Sequence, residues 1–323
     1  MLAKGGGEID FVWAAYIEEP GPAEAIRYGE LPEPEPGAGE AVVRTEAVAV
    51  NWVDTFVRSG KYRTELPRPF VIGRDVVGVV ERAAGGLREG ERVWASTLGY
   101  AGRQGPTAER VAVSADRLHR LPEGVEPVGA VAVLHGATTA LIGLERVGLS
   151  AGERVFVHGA SGAVGSAVVQ VAVERGAHVV ATARSDEALA RLRRWGAAEV
   201  VDTREQWSSP VGVDVHWDAT GAIPLAEAVT SMASRGRVVV TARREEDPVP
   251  AFDLYLRDVS IVGFTLSHAS HEEQARAARE VNRLLAEGRL EASVAHVLPM
   301  ADAARAHRLL ESGQARGKVV LVP

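Results

Sequence analysis

The residues best arranged for chemistry lie in the run Arg154 to Ala167, RVFVHGASGAVGSA. Gly159, Gly162 and Gly165 recur there at three-residue spacing, with Ser161 inside the turn they make. An apolar stretch, Val155-Phe156-Val157, precedes them, and small and branched residues that suit a helix follow. A residue without Cβ can turn tightly, let an outside group reach the backbone, or let a helix pack close to a strand. The first N–H groups of a helix have no partner inside it, and they carry the positive end of its dipole. Strand, glycine turn and helix in that order point to an anion held by backbone, specifically the pyrophosphate of a dinucleotide. Glycines also mark ordinary turns, and it is the flanking strand and helix that favour the dinucleotide.

The next strand-like run, His178 to Thr182, ends in Ala183-Arg184-Ser185. A fold that binds NAD usually carries an acid here for the ribose hydroxyls. Alanine and Arg184 replace it, which suits the 2′-phosphate of NADPH, because a guanidinium grips phosphate with two hydrogen bonds. The plain alternative is a solvated surface arginine. Asp186 is expected to be occupied locally as a helix N-cap.

These residues need elements to position them. The first third of the chain shows short strand patterns, Ala41–Val50, Val76–Glu81, Arg92–Ala95 and Glu109–Val113, separated by Pro- and Gly-rich turns. After residue 130 apolar runs alternate with helical patterns: Val155–Val157, Gly162–Arg175, His178–Thr182, Asp186–Trp195, Glu199–Val201, Val213–Trp217, Ile223–Ser234 and Arg237–Thr241. Such alternation requires a parallel sheet with helices on both faces. The run Val128 to Leu144 reads as a buried helix, since His135 and its glycines make it too broken for a membrane span. A helix around His271–Glu287, another around Ala301–Glu311 and a strand Lys318–Val322 close the chain.

Composition narrows the classes further. A length of 323 residues favours two domains, and 46% hydrophobic with 24% charged residues is an ordinary globular balance. The net charge of −7 argues against general nucleic-acid binding. No cysteine is present, which removes disulfides, thiolate catalysis and cysteine-containing zinc sites, and fits the cytoplasm. The nine histidines do not cluster at ligand spacing, so no metal is expected. Residues 1–11, with Gly5-Gly6-Gly7, read as a flexible extension rather than a signal peptide.

The glycine turn, the pattern Asn51-Trp52-Val53-Asp54-Thr55-Phe56-Val57-Arg58-Ser59-Gly60-Lys61-Tyr62, the run Gly73-Arg74-Asp75-Val76-Val77-Gly78 and the closing Gly317-Lys318-Val319-Val320-Leu321 together carry a resemblance. The chain resembles the zinc-free quinone oxidoreductase (zeta-crystallin-like) branch of the medium-chain dehydrogenase/reductases, from about Trp13 to Pro323. The resemblance implies an α/β protein with a GroES-like β-barrel catalytic domain, 12–130 and 268–323. Inserted in it is a Rossmann domain with a doubly wound parallel sheet, 131–267, that binds NADPH; the active cleft lies at their junction. It also implies a homodimer or homotetramer. Zinc-dependent relatives place a cysteine where Asn51 stands, a histidine where Arg74 stands and a cysteine near Leu134. The resemblance further implies that Asn51 and Thr138 contact the nicotinamide end, Ala163 and Val164 the pyrophosphate, and that Thr241 to Arg243 and Phe264 to Leu266 flank the nicotinamide ribose and ring. It implies as well that Lys318 approaches the cofactor. Bacterial members hold the 2′-phosphate with a lysine and a tyrosine, at positions that here are Ala188 and Thr203, so Arg184 would substitute for them. Arg74 is an unusual charge near the cleft.

Without a metal, such a site acts by positioning and by stabilising charge, with hydride passing from the nicotinamide to a conjugated acceptor. A quinone gives a delocalised anion and needs little acid help. An enone or enoyl thioester needs a proton donor, and Tyr62 is the candidate, the alternative being that its ring merely shapes the pocket. Asp54 and Arg58, four residues apart on a short helix, are expected to form a structural ion pair. Three readings stay open: an NADPH-dependent quinone reductase, a reductase of enones or enoyl thioesters, and an NADPH-binding protein without turnover.

Overall fold

The computed structural model describes residues 10–242 and 246–323, and the chain divides into two compact units. One holds the residues up to Ala132 together with Ser293–Pro323, and the other holds Val133–Ala292.

The first unit is strand-rich because its apolar residues alternate with polar ones. β1 (Phe11–Ile17) and β2 (Arg27–Pro32) pair antiparallel, a hairpin absent from the sequence reading, and Phe11, expected in the extension, already faces Pro32 in register. β3 (Glu40–Val50) is the long strand of a second sheet and runs directly into α1 (Trp52–Arg58). β4 (Phe70–Val71) returns to the other edge of β1. β5 (Asp75–Arg82) lies along β3, followed outward by β6 (Arg92–Ala95) and, after β7 (Arg110–Ser114), by β8 (His119–Arg120). β7 pairs with the first half of β3, from Glu40 to Arg44. Val43, Val48, Val76 and Val93 fill the interior.

The second unit is the parallel-sheet layer. α2 (Pro127–Arg146) leads in; it is long and apolar enough to cross a membrane, but most of it is buried inside the protein. β9 (Arg154–His158), α3 (Ala163–Glu174), β10 (His178–Ala183), α4 (Asp186–Arg194), β11 (Glu199–Asp202) and β12 (Val213–Asp218) follow. α5 (Leu225–Ser231), β13 (Met232–Val240), α6 (Ala251–Arg257) and β14 (Ser260–Gly263) complete the alternation. The strand order is β11-β10-β9-β12-β13-β14 with every pairing parallel. Strand order reverses direction beside β9, the position where such sheets bind ligands at their carboxyl ends. The expected helix 223–234 is shorter, since Pro224 starts it and the chain turns into β13 at Met232.

α7 (His271–Ala286) belongs to this unit, so the chain returns to the first unit at Ser293 rather than at 268. Ion pairs explain the shift: Glu273 with Arg146, Arg276 with Glu145 and Arg283 with Glu174 bind α7 to α2 and α3. β15 (Val294–Pro299), α8 (Ala303–Glu311) and β16 (Lys318–Val322) then complete the first unit. β16 pairs antiparallel with the second half of β3, matching Val319 with Val50.

Candidate functional site

At the end of β9 the chain enters the glycine turn. Gly159 takes φ +70°, a left-handed conformation that favours glycine, and a Cβ there would lie 2.5 Å from Thr220 Cγ2. At Gly165 a Cβ would lie 2.3 Å from the Gly159 carbonyl oxygen, so only glycine lets α3 press against the turn. Gly162 is the N-cap of α3 and offers no side chain to cap its first N–H groups. Ser161, Gly162 and Ala163 are exposed, Val164 is half-buried, and a Cβ on Gly162 would meet only the Gly159 oxygen, at 3.3 Å. The turn is therefore an open backbone cradle at a positive helix end, suited to a pyrophosphate.

The other expected residues of this unit sit where the strands end. Arg184 follows β10, is exposed, and makes no hydrogen bond or ion pair with the described residues. Ser185, not Asp186, is the N-cap of α4: its Oγ accepts from Ala188 N at 3.3 Å. Asp186 instead pairs with Arg204, which also grips Asp202, so this carboxylate already has a partner. Thr241 directly follows β13 and accepts a hydrogen bond from Trp217 Nε1 at 3.2 Å. Phe264, just after β14, stands edge-on to Trp217 with centroids 6.3 Å apart. Arg243 lies outside the described residues. Thr138 is 1% exposed on α2, and its Oγ1 is buried without a hydrogen-bond partner among the described residues. A Cβ on Gly136 would lie 2.2 Å from the Ala163 carbonyl oxygen, so this turn of α2 is pressed onto the start of α3.

Three supports of the turn were not legible in the sequence. Thr182 Oγ1 accepts from Gly159 N at 3.2 Å and bonds His158 Nδ1 at 3.0 Å. The His158 ring stacks on Trp207 with centroids 5.1 Å apart, and burial holds its pKa below the ordinary value. Asp218 accepts from Thr220 N, Thr220 Oγ1 and Ile223 N, which places Thr220 against Gly159.

The first unit carries a different constellation. Asn51 is the N-cap of α1, and its backbone N–H donates to Asp54 Oδ2 at 2.7 Å. Its amide Nδ2 donates to Asp75 Oδ2 at 2.8 Å, and its Oδ1 accepts from Lys318 Nζ at 2.5 Å. Lys318 also donates to the Val50 carbonyl at 3.3 Å. Asn51, Asp54, Arg74, Asp75 and Lys318 are all buried. Burial, reinforced by the charge of Asp75, pushes the Asp54 carboxyl up to about 7. Burial raises Asp75 and lowers Lys318, and the attraction between their charges works against both shifts. The expected Asp54–Arg58 ion pair is absent: Arg58 bonds Glu311 through both terminal nitrogens, and Asp54 turns back to Asn51. Helical spacing placed the two on one helix, but each found a partner off it.

Tyr62 is half-buried, and its N–H donates to Phe56 O at 3.0 Å. Its ring meets Tyr100 edge-on, with centroids 5.9 Å apart. The Arg74 guanidinium lies 5.7 Å from the centroid of the Tyr100 ring and that of Arg103 lies 6.0 Å away. Tyr100, Arg103 and the role of Asp75 were missed in the sequence, where nothing local marks them.

This chain matches the alcohol dehydrogenase GroES-like domain over residues 37–123 and the zinc-binding dehydrogenase model over 195–321. Human quinone oxidoreductase is 28% identical over 96% of this chain and 97% of its own length. A mycocerosic acid synthase-like polyketide synthase of Mycobacterium tuberculosis is 31% identical over 94% of this chain, which spans only 15% of that relative. A solved mycobacterial quinone oxidoreductase shares 30% identity, covers 97% of this chain and 100% of its own, and superposes with TM-score 0.84. A mycobacterial structure complexed with NADPH shares 29% identity over 97% of this chain and 100% of its own, with TM-score 0.83. A GroES-like unit and a parallel-sheet nucleotide-binding unit in one chain define a dehydrogenase of the medium-chain class. Within it, the chain belongs to the zinc-free quinone oxidoreductase (zeta-crystallin-like) branch of the medium-chain dehydrogenase/reductases.

Proposed function

We propose that this oxidoreductase uses NADPH to reduce a quinone without a metal ion. The observation that carries the reading is the open glycine cradle after β9 together with Arg184 after the neighbouring strand β10, an exposed guanidinium with no carboxylate on it among the described residues. Gly159, Ser161, Gly162, Ala163 and Val164 would hold the pyrophosphate, and Arg184 with Ser185 the 2′-phosphate. Thr138, Thr241, Arg243, Phe264, Asn51 and Lys318 are assigned to the nicotinamide end. The Thr138 hydroxyl, buried and without a hydrogen-bond partner among the described residues, supports its part in this, since a buried hydroxyl normally has one. When bound, NADPH supplies a hydride to the conjugated acceptor.

The protein's own groups then orient the acceptor and stabilise the charge that develops on it. Metal independence is supported by Asn51 and Arg74, which stand where the zinc-dependent relatives place ligands. Asn51 is assigned to holding the nicotinamide end, its amide fixed from both sides by Asp75 and Lys318. Tyr62, at the edge of Tyr100, favours a second reading, reduction of an enone or enoyl thioester with the phenol as proton donor. A homodimer is supported by α6, the helix that leads into the edge strand β14, where Phe252, Tyr255 and Leu256 are exposed. The cysteine-free composition supports the cytoplasm as its compartment. The test is steady-state NADPH oxidation with quinones, enones and enoyl thioesters in parallel. Fastest turnover on quinones is expected; turnover on none of them would leave a cofactor-binding protein without catalysis.

A further inference from the structure

Trp217 is fully buried near the carboxyl end of β12, and its neighbours across the sheet, Val157 on β9 and Val239 on β13, are plain core residues. The bland account makes it one more piece of the core. A side chain that only filled the core would need neither a polar atom nor room made for it, and Trp217 has both. Its Nε1 donates to Thr241 Oγ1 at 3.2 Å, just past the end of β13. Its ring stands at 88° to that of Phe264, just past the end of β14, with centroids 6.3 Å apart. Room for the two rings comes from α2, where a Cβ on Gly143 would lie 2.3 Å from Trp217 Cη2 and 2.8 Å from Phe264 Cε1. A glycine inside a helix weakens it, so this close approach is made at the helix's expense.

Phe264 is held from other sides as well. Its N–H donates to the Val240 carbonyl at 3.2 Å. The Arg146 guanidinium lies 4.9 Å from its ring centroid and is itself fixed by two hydrogen bonds to Glu273. One indole thus joins two residues at the carboxyl ends of neighbouring strands, the side on which parallel sheets of this kind bind ligands. The chemistry of the bond gives it a direction. An indole N–H only donates, so Thr241 must accept there, and the proton of its hydroxyl is turned away from the indole toward an acceptor elsewhere.

We propose that Trp217 is a positioning residue for the nicotinamide end of the cofactor: its N–H fixes the Thr241 hydroxyl as a hydrogen-bond donor, and its edge sets the angle of the Phe264 ring. The inference rests on the NADPH reading, which assigns Thr241 and Phe264 to that end. An oxygen of the nicotinamide ribose or carboxamide is the acceptor such a donor fits. Trp217, with no exposed surface, acts only through these two residues.

The experiment compares NADPH with adenosine 2′,5′-bisphosphate, which carries the 2′-phosphate but lacks the nicotinamide and its ribose, by calorimetric titration of the full chain. Trp217→Phe keeps an aromatic ring and removes the N–H. It should weaken NADPH by about 3–10-fold, the range of one lost hydrogen bond, and the bisphosphate by less than about 2-fold. Thr241→Val keeps the branched shape without the hydroxyl and should give the same selective loss. The double variant should lose little more than Thr241→Val alone, because residues that act as one unit are not additive. Equal loss of both ligands in Trp217→Phe marks a merely structural residue and overturns the inference, as does additive loss in the double variant. If Trp217→Phe does not fold, the indole N–H is followed in wild type by NMR. Of the six tryptophan signals, the one that Thr241→Val moves should shift with NADPH and stay in place with the bisphosphate. A signal indifferent to NADPH overturns the inference. A wild type that binds neither ligand removes the NADPH reading and the inference with it, whereas NADPH binding that ignores Trp217 removes the inference alone.

Discussion

The glycine turn of the second unit and the polar cluster of the first prepare a binding surface by opposite means. The turn removes side chains: Gly162 leaves an open approach to the start of α3, while Gly159 and Gly165 let Thr220 and α3 pack against the turn. The cluster adds them: Asp54, Asp75, Lys318, Arg74 and Asn51 are packed out of water and hold one another by charge and hydrogen bonds. A surface made by omission tolerates no added atom. One made of buried charges tolerates no lost partner, because each charge left behind is uncompensated.

Ways to break this contrast follow, from the largest effect to the smallest. Lys318→Met leaves the two buried carboxylates without their lysine, and should cost about 3–5 kcal/mol of stability in a denaturant titration. Adding Asp75→Asn should recover part of the loss; no recovery would mean that Lys318 acts by packing alone. Gly165→Val forces a side chain against the Gly159 carbonyl, and overpacking of this kind costs about 1–3 kcal/mol. NADPH affinity, read by fluorescence titration, should collapse with it. Arg184→Ala should weaken NADPH by about 10–100-fold while leaving NADH nearly unchanged. Equal losses for both cofactors would remove Arg184 from the 2′-phosphate.

Two further outcomes sharpen the comparison. The Asp54 carboxyl is raised from its ordinary 3.8 to about 7 in the folded chain. A raised folded pKa means that the fold binds this proton more tightly than the unfolded chain does. Its contribution is full below the ordinary value and is lost as pH rises to about 7. Asp54→Asn should flatten that part of the stability–pH curve, and an unchanged slope would assign it to other groups. The smallest effect belongs to Tyr62→Phe with a quinone, where turnover should fall only modestly. With an enone, loss of a positioned acid should lower the rate by roughly 10²–10⁴-fold.

The same contrast explains what the sequence disclosed. The glycine turn is local: strand, turn and helix follow one another from Arg154 to Glu174, and their spacing carries their geometry. The alternating elements after residue 130 were legible for that reason. The Asn51–Asp75–Lys318 network was not, because β16 sets Lys318 beside Asn51 across most of the chain and no periodicity records that pairing. Asp54 and Arg58 show the hazard of local spacing, since both were drawn to partners the helix does not contain. β1 and β2 escaped notice because their burial depends on neighbours supplied later in the chain. α7 groups with the second unit, where the expected boundary at 268 would have set it with the tail, and its ion pairs reach α2 and α3, far from it in sequence.

The late arrival of β16 has a consequence for synthesis. The second unit is one continuous stretch, Val133–Ala292, and can close while the remainder is still being translated. The first unit cannot. Until Lys318 leaves the ribosome, Asp54 and Asp75 lack their lysine, the second half of β3 lacks a neighbour on its β16 side, and Arg58 has only just gained Glu311. The residues that open the chain therefore wait for those near its end, and a stalled or nicked product lacking the last strand would display an unpaired edge and two unsatisfied acids. Quality control would meet such a product as an open half-barrel attached to a finished nucleotide-binding unit.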